Sequence, residues 1–352
     1  DEYTMYVQAD KISRFAIECL KKVGVKDEDA RLITETMLIA DYRGIHSHGF
    51  IRLPIYIERI QKGLIDVNAT VETINDNPSV SLMDGNYGAG QVVAKKAMEN
   101  SIQKAKESKV GLTVVKNSNH FGIAAYYASL ATKENMIGIV ISNVEPLMPA
   151  IGGAEKIIGN NPISIAAPTN EGEDPIILDM ALSNVPFGKI LVANTKGESI
   201  PNDWGVDKYG QKTNDPGKVL DGGFLLPMAG PKGFGLALLT EILTGVISGG
   251  QYSKTIESMY DLEETQSISH FMLAIDISFF IDKDEYFSRI RDIISFVRDS
   301  KKAPGVERIY LPGEIEFEQE KKNKKQGVPI DTKVLNELQK LSEQLNVELE
   351  LE

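Results

Sequence analysis

The order of helix-like and strand-like segments along the chain is the feature that most limits its fold. Strand-like segments occur in the middle of the chain, where each is short, rich in β-branched or aliphatic residues and bounded by Gly, Pro or Asn. They are SVSLMDG, GLTVVKN, MIGIVISN, ISIAAPT, PIILDMA and HFMLAIDISFF. The stretches QVVAKKAMENSIQKAKESK and IAAYYASLATKEN between the first three are helical in pattern, and PKGFGLALLTEILTGVISGG predicts a buried helix. This order predicts a core that mixes α and β structure.

Both ends of the chain have helical patterns. We predict one helix from Lys11 to Val23 with Asp10 as its N-cap, a second over VKDEDARLITETMLIADYRG that ends at Gly44, and a third over RLPIYIERIQKG that ends at Gly63. Near the other end, KVLNELQKLSEQLNV predicts one more. Since these helices must cover one another's apolar faces, we expect a helical domain of residues 1–76 together with 301–352. Residues 77–300 then form an α+β domain.

Two glycine clusters lack the spacing of a dinucleotide-binding loop. DGNYGAGQ and GPKGFG both miss the G-x-G-x-x-G fingerprint that joins a strand to a helix in the Rossmann fold. A phosphate could dock at DGNYGAGQ, but a tight turn is the simpler interpretation. If this chain binds a dinucleotide, we expect a non-Rossmann fold.

The charge and cysteine content exclude several classes of partner. With 38 Lys and Arg against 50 Asp and Glu, the net charge is −12, and without a basic stripe we expect no nucleic acid. No apolar run approaches the roughly 18 residues of a membrane span, so we expect no membrane partner. A single cysteine, Cys19, precludes an internal disulfide, and DEYTMYVQADK does not resemble a signal peptide. A cytoplasmic location is therefore expected.

The chain has only four histidines, and two of them, His46 and His48, lie in DYRGIHSHGFIR. On an extended backbone both rings would point the same way, which allows a metal site completed by His120 and an acid, Glu145 or Asp179. No HExxH pattern supports that interpretation.

Two further interpretations of the same segment remain. A serine triad through Ser47 would lack the usual G-x-S-x-G turn. The third is structural, a helix end at Gly44 with the histidines near the last carbonyls.

The third histidine, His120, has the best position for acid/base chemistry. It lies in VKNSNHFGIAAYY, between a predicted strand and a predicted helix. A helix N-terminus favours neutral imidazole, which can accept an alcohol proton. The following strand ends in VEPLMPAIGG and would bring Glu145 nearby, and Arg52 offers a two-pronged donor for a carboxylate.

Seven segments together resemble one enzyme family. They are DYRGIHSHGFIRLPIYIERI, VKNSNHFGIAAYY, PAIGGAEKIIGNNPISIAAPT, PIILDMA, GKI at Gly188, GPKGFGLALLTEILTG and YLPGE. In this order they resemble the malate/L-lactate dehydrogenase family, which includes L-sulfolactate, diketogulonate and ureidoglycolate dehydrogenases. The resemblance implies an NAD(P)-dependent enzyme that transfers hydride between nicotinamide and a 2-hydroxy/2-oxo acid pair, with no metal. NAD is the expected cofactor and NADP the alternative.

The resemblance also implies the fold, the assembly and the roles of individual residues. It implies an α+β fold with a non-Rossmann mixed-sheet cofactor domain, a mainly helical second domain from both chain ends, and a homodimer. The family's acid/base histidine matches His120. Its substrate-binding positions match Ser47, His48, Arg52, Tyr56 and Glu145. Its cofactor-binding positions match His46, Asn161, Pro162, Asp179, Met180, Ala181, Lys232 and Asp276, although Ile277 stands where the family usually has proline.

The resemblance leaves the substrate open between two main candidates. Malate, oxidised to oxaloacetate, comes first because it is the commonest activity in chains of this kind. Ureidoglycolate, oxidised to oxalurate, is the alternative, because SIPNDWGVDK and AGPKGFG resemble that branch and Glu145 falls where it carries an acid. Otherwise, Glu145 points to solvent or pairs with Lys232. Outside the class, a metal-dependent hydrolase or an inactive protein of the same fold remains.

Overall fold

The elements of secondary structure follow the predicted order closely. The computed structural model describes residues 3–351. Its helices and strands, in chain order, are β1 (Thr4–Val7), α1 (Ala9–Lys22), α2 (Asp27–Tyr42), α3 (Leu53–Gln61), β2 (Glu72–Asp76), β3 (Val80–Asp84), α4 (Gly90–Ser108), β4 (Val110–Ser118), α5 (Ala124–Thr132), β5 (Met136–Ser142), β6 (Ile163–Ala167), β7 (Ile176–Met180), α6 (Phe187–Lys196), β8 (Gly205–Val206), α7 (Pro216–Leu220), β9 (Phe224–Leu225), α8 (Pro231–Glu241), β10 (Ile268–Asp276), α9 (Lys283–Arg298), α10 (Glu314–Gln326), β11 (Val328–Asp331) and α11 (Thr332–Leu345).

A seven-stranded mixed sheet forms the centre of the molecule, in the order β2-β3-β4-β10-β5-β6-β7. Only β3 and β4 pair in parallel, and every other neighbouring pair in this sheet is antiparallel. This topology differs from the parallel sheet of a Rossmann domain. The predicted fold class, α+β with a non-Rossmann mixed sheet and helices from both chain ends, is confirmed.

The strand directions bring several chain segments to one edge of the sheet. Strands β4 and β5 both run antiparallel to β10, and the pairs Ile141–Ile163 and Ile163–Met180 carry the same level across to β7. The loops after β4, β5 and β7 therefore leave at the same edge. The C-terminal end of β10, Asp276, lies at the opposite edge, where it pairs with Met136.

Helices α4 and α5 cover one face of this sheet. Their buried side chains, including Ala97, Met98 and Tyr127, form a core with Val115 and Met272 from the central strands. A second apolar cluster around β6, α6 and α8 includes Ile163, Ile190 and Ala237. Because both clusters pack side chains of the strands against the helices, the loops that follow the strands extend from a rigid base.

The two ends of the chain meet in a separate helical core. Strand β1 pairs with β11, and α1, α2, α3 and α11 bury a common set of side chains that includes Phe15, Met37, Leu53, Ile57 and Leu338. The division into two domains stays a prediction, but a boundary at residue 76 divides the sheet, because β2 pairs with β3.

Two local predictions are wrong. The first helix begins at Ala9 with Gln8 as N-cap, so Asp10 lies in its first turn. The predicted buried helix from Pro231 is buried on one side only: α8 continues into a π-helical turn over Ile242–Val246, and the other, apolar side of this segment is open. Its side chains Leu236, Leu239, Ile242, Val246 and Ile247 are between 38% and 53% exposed. Within residues 3–351, no helix is both long and apolar enough to cross a membrane.

Candidate active site

His46 and His48 follow α2 and lie in a tight turn that directs their side chains apart. Helix α2 ends at Tyr42, Gly44 adopts a left-handed conformation with φ +78°, and residues His46–His48 form one 3₁₀ turn. Three residues per turn send the side chains of His46 and His48 in different directions. The extended backbone on which a shared metal site depends is therefore not what forms here.

His46 is held by a buried carboxylate. Its Nδ1 donates to Asp41 Oδ1 at 2.7 Å, and the other oxygen of Asp41 accepts the Phe50 N–H at 2.9 Å. The hydrogen bond from Asp41 raises the pKa of His46, while burial raises the pKa of Asp41 itself. Gly49 allows this approach, because a Cβ there would lie 2.1 Å from the carboxylate. Asp41 therefore fixes the whole turn.

His48 lies against His120, and the two rings stack with their centroids 5.4 Å apart. The Ser47 hydroxyl and His48 Nδ1 are hydrogen-bonded at 2.8 Å. Burial, and then the charge of Arg52, lower the pKa of His48 to about 3. His48 is therefore a neutral ring beside His120 near pH 7.

His120 follows β4 and is half-buried at the sheet edge where the loops gather. Its Nδ1 is hydrogen-bonded to the Tyr56 hydroxyl at 2.7 Å, which leaves Nε2 as the nitrogen that can meet a substrate. Its pKa lies well below the usual value, chiefly through burial and then through Arg52 and His48. The predicted neutral ring is thus explained by burial. Since α5 begins only at Ala124, the helix end was the wrong reason.

Arg52 lies between the helical core and the loop that precedes β10. Its Nε donates to the Ser47 carbonyl at 2.8 Å, and its Nη1 reaches Met259 Sδ at 3.5 Å and the Tyr260 hydroxyl at 3.1 Å. The guanidinium remains partly open to solvent, so a carboxylate can still approach it. Arg59, by contrast, is buried and donates to three carbonyls of the same loop.

Glu145 lies in the same neighbourhood. It accepts a hydrogen bond from Gln266 Nε2 at 2.5 Å, and burial raises its pKa against the opposing charges of Arg52 and Arg59. It is part-buried rather than pointing freely to solvent. Across the described chain no ion pair joins it to Lys232, which is exposed at the start of α8.

The predicted cofactor residues at the end of β7 lie at the same sheet edge as His120. Asp179 Oδ2 accepts the Ala125 N–H in the first turn of α5 at 3.1 Å. Its side chain is open to solvent on one side yet closely surrounded on the others, and this desolvation raises its pKa to about 6. Met180 and Ala181, which follow, are also accessible. These three residues are therefore accessible to a ligand at the sheet edge that carries His120.

Asn161 and Pro162 precede β6 at this edge, but the side chain of Asn161 makes its hydrogen bonds within the protein. Its amide nitrogen lies within hydrogen-bond distance of Ala237, Thr240 and Glu241, and its oxygen accepts the Val144 N–H. The side chain is completely buried. Asn161 therefore joins α8 to the loop after β5, while Pro162 is partly accessible.

Asp276 is separated from the other predicted site residues. It lies opposite Met136, at the start of β5, whereas Ser142 ends that strand at the His120 edge. Six residues of strand separate the two edges by about 20 Å. Asp276 instead accepts hydrogen bonds from Ser278 and lies 3.6 Å from Lys109. The assignment of Asp276 to cofactor binding stays a prediction, and strand direction, which the motif does not contain, places it away from His120.

Several polar residues of the site were missed in the sequence. His270 is the third residue of β10, where its Nε2 is 2.7 Å from Ser118 Oγ and its Nδ1 is 2.9 Å from Ser142 Oγ. Burial lowers its pKa to about 3. Gln91 and Gln266 are each buried beside the site as well. A polar residue in an apolar strand was the one available clue, and it applied only to His270.

No three His, Cys, Asp or Glu side chains converge as metal ligands would among the residues that the structure describes. The Nδ1 atoms of His46, His48 and His120 are hydrogen-bonded to Asp41, Ser47 and Tyr56, respectively. The arrangement is a half-buried neutral imidazole beside a guanidinium, and it can exchange a proton with a carboxylate-bearing substrate.

Known proteins resemble the chain over almost its whole length. The profile of the family described as malate/L-lactate dehydrogenase matches residues 7–339. A malate dehydrogenase of Pyrococcus abyssi is 40% identical over 99% of this chain and 97% of that protein. An L-sulfolactate dehydrogenase of Methanocaldococcus jannaschii is 40% identical over 98% of this chain and 99% of its own. A ureidoglycolate dehydrogenase (NAD(+)) of Escherichia coli K12 is 32% identical over 93% of each.

Solved structures of the same family share the fold of this chain. The structure of malate dehydrogenase from Pyrococcus horikoshii superimposes with a TM-score of 0.91 at 38% identity and covers 99% of this chain and 98% of that one. The chain belongs to the malate/L-lactate dehydrogenase family. It is a 2-hydroxy acid dehydrogenase, and the predicted family and enzyme class are confirmed.

Proposed function

We propose that this protein interconverts malate and oxaloacetate with a nicotinamide cofactor, and that His120 is its general acid and base. The observation that carries the proposal is the buried His120 ring, whose Nδ1 is held by Tyr56 at 2.7 Å while Nε2 stays available. Arg52 lies close enough to lower the pKa of that ring, so a carboxylate bound there places its neighbouring carbon near Nε2.

Each side chain has a distinct part in the proposed reaction. In oxidation, His120 Nε2 takes the proton of the substrate hydroxyl, and in reduction the protonated ring returns it to the carbonyl oxygen. Arg52 and His48 hold the carboxylate. A bound nicotinamide cofactor supplies the hydride exchange at the same carbon. Correct orientation of this kind can contribute up to about 7–11 kcal/mol.

The residues present fit a nicotinamide cofactor at one edge of the sheet. Asp179, Met180 and Ala181 are accessible at the end of β7, and Lys232 is exposed at the start of α8. We assign the cofactor to these residues with Pro162 and His46, and we give Asn161 a supporting part. NAD remains our first choice. NADP is the alternative, because one relative is named a sulfolactate dehydrogenase (NADP(+)).

Malate is the first substrate because two relatives that are 40% identical are named malate dehydrogenases, against one L-sulfolactate dehydrogenase at the same identity. Ureidoglycolate is the second candidate, and the contact between Glu145 and Gln266 favours it. An ionised carboxylate at that place would accept ureido N–H bonds and repel the second carboxylate of malate. L-sulfolactate shares that second negative charge, so the same contact disfavours it.

A homodimer remains our proposal for the assembly. The open apolar side of α8 and the π turn would be unusual on a monomer surface, and a second copy would cover it. Leu239→Asp should therefore shift the molar mass in light scattering from dimer to monomer. Tyr209→Asp, at a side chain that is 70% exposed in another region, is the control. A monomeric wild-type protein would end this proposal. We also retain a cytoplasmic location as a proposal.

The deciding experiment follows NADH and NADPH formation with malate, ureidoglycolate, L-sulfolactate and lactate. We expect turnover with malate and NAD, and almost none after His120→Ala. Zinc and magnesium content should be measured on the same samples. If no nicotinamide is reduced with any of these acids, the proposed activity is wrong.

A further inference from the structure

The hydrogen bond between Tyr56 and His120 can be formed in two ways. Either the phenol donates to a bare Nδ1, or Nδ1 carries a proton and donates to the phenol oxygen. The choice decides whether the ring can act as a base, because a neutral imidazole carries one proton. This matters only if His120 is the base, so the inference rests on the proposed function.

A base at Nε2 requires the second arrangement. If the phenol donates to Nδ1, the ring proton is on Nε2, which then cannot accept the substrate's proton. If Nδ1 keeps the proton, Nε2 is bare, but the phenol proton of Tyr56 must find another acceptor. Tyr56 is 3% exposed, so that acceptor has to come from the protein.

Gln91 occupies the place where such an acceptor is required. It lies in the first turn of α4, and the residue before it, Gly90, touches the strand end that carries His120: a Cβ on Gly90 would lie 2.2 Å from the carbonyl oxygens of Asn119 and His120. The Gln91 amide is near enough to the Tyr56 phenol to lower its pKa, and the Gln91 side chain is buried at 2% exposure.

The hydrogen-bonding state of the Gln91 amide supports its role as this acceptor. Its Nε2 is buried and has no hydrogen-bond partner among residues 3–351, although the amide lies near the phenol. The two ends of an amide are exchanged by a half-turn. After that turn the carbonyl oxygen of Gln91 accepts the phenol proton, and no buried amide hydrogen is left against the phenol.

We propose that Gln91 is a positioning residue that fixes the proton of His120 on Nδ1 through Tyr56. The chain of hydrogen bonds runs from His120 Nδ1–H to the Tyr56 oxygen and from the Tyr56 hydroxyl to the Gln91 oxygen. Gln91 touches neither substrate nor cofactor, and it acts only by giving the phenol proton an acceptor.

The competing arrangement is available when this acceptor is lost. The backbone N–H of Gly122 lies 3.4 Å from His120 Nδ1, so a bare Nδ1 would have two donors, Gly122 and Tyr56. In Gln91→Leu the phenol loses this acceptor and turns to Nδ1. The proton then moves to Nε2, and most of the neutral enzyme lacks its base.

The kinetic test compares three variants in malate oxidation. Gln91→Leu should lower kcat roughly tenfold to hundredfold, as an unmet buried hydroxyl implies, with little change in KM. It should also move the acidic limb of the pH profile to lower pH, because protonated His120 leaves the phenol proton unpaired. Gln91→Glu keeps an acceptor, so it should retain most of kcat and move the limb to higher pH. Gln103→Leu, on the exposed side of the same helix, should change neither.

A double-variant cycle tests whether the effect passes through Tyr56. In a Tyr56→Phe background the phenol is gone, so Gln91→Leu should cause no further loss of kcat. Independent, multiplying losses would overturn the proposal. So would a Gln91→Leu protein whose pH limb does not move while its melting temperature falls.

Nitrogen NMR of the ring gives a readout that needs no turnover. Only four histidines are present, so the His120 signals can be assigned with His120→Ala. The wild-type protein should carry its proton on Nδ1 and Gln91→Leu on Nε2. An unchanged tautomer would overturn the proposal even if His120 proves to be the base. Conversely, a tautomer change with no effect of His120→Ala on turnover would leave this arrangement intact and sink the proposed mechanism.

Discussion

Glu145 is the residue whose substitution separates the two candidate substrates. Its carboxylate is part-buried, accepts a hydrogen bond from Gln266 at 2.5 Å and lies in the field of Arg52. Glu145→Gln keeps the shape and removes the negative charge. We expect kcat/KM for malate to rise and that for ureidoglycolate to fall.

The magnitude follows from the distance between like charges. Two carboxylates about 4 Å apart repel by about 4 kcal/mol at an effective dielectric constant of about 20. Arg52 offsets part of this repulsion, and solvent reaches the site, so that figure is an upper limit. We therefore expect a gain of about tenfold to hundredfold for malate. Loss of a hydrogen bond to a charged group, about 1.5–3 kcal/mol, should weaken ureidoglycolate by a similar factor.

The assay measures kcat/KM for both acids in both proteins, at several pH values. Because burial raises the pKa of Glu145, its protonated form persists to higher pH than for an exposed acid. Wild-type malate oxidation should improve relative to the variant as pH falls through that pKa, and the difference between the two proteins should narrow. Glu343→Gln, exposed on α11, makes the same charge change away from the sheet edge and should have no effect. If neither substrate changes by more than about twofold, less than ~0.5 kcal/mol, Glu145 does not line the pocket.

Three further predictions test the acid/base group, the carboxylate contact and the turn that carries them. His120→Ala should lower turnover by ~10²–10⁴-fold with little change in NADH affinity, and a folded variant with normal turnover would exclude this residue. Since the pKa of His120 lies below 6.5, wild-type oxidation should hold its rate until pH falls beneath that value, whereas reduction should slow as pH rises through the same pKa. Arg52→Lys keeps the charge but loses the fork, so KM should rise at least about tenfold, or ~1.4 kcal/mol; a stability loss with an unchanged KM would make Arg52 structural. Gly49→Ala would place a Cβ 2.1 Å from the Asp41 carboxylate and should destabilise the fold by about 1–3 kcal/mol, whereas Gly235→Ala, with open space around it, should leave the melting temperature unchanged or higher.

The elements that local pattern controls were predictable from the sequence. Strands β3 to β7 and helices α4 and α5 form where short apolar runs and helical spacing predict them, because both signals depend on neighbours along the chain. The position of His120 between β4 and α5 follows from the same pattern. The structure therefore places the acid/base candidate where the sequence does.

What the sequence could not supply depends on how segments meet in three dimensions. The side chains of His46 and His48 point in different directions because these residues form a 3₁₀ turn. Their alternating spacing in the sequence had also been compatible with an extended strand. Asp276 belongs to a matching motif but leaves the sheet at the far edge, since β10 runs against β4 and β5. The apolar run of α8 is exposed, because hydrophobicity alone does not distinguish a core from a surface that another molecule covers.

The charges around His120 limit what the substrate can carry. His48 and His120 are both neutral near pH 7, and Arg59 is committed to three backbone carbonyls. Arg52 is therefore the one cation in this group that can meet a carboxylate. With Glu145 ionised, the charges of Arg52 and Arg59, which both act on it, offset Glu145 and one substrate carboxylate. The second carboxylate of a dicarboxylate such as malate is offset only if Glu145 takes up a proton, which its raised pKa eases. The choice between malate and ureidoglycolate thus becomes a question about one proton on Glu145.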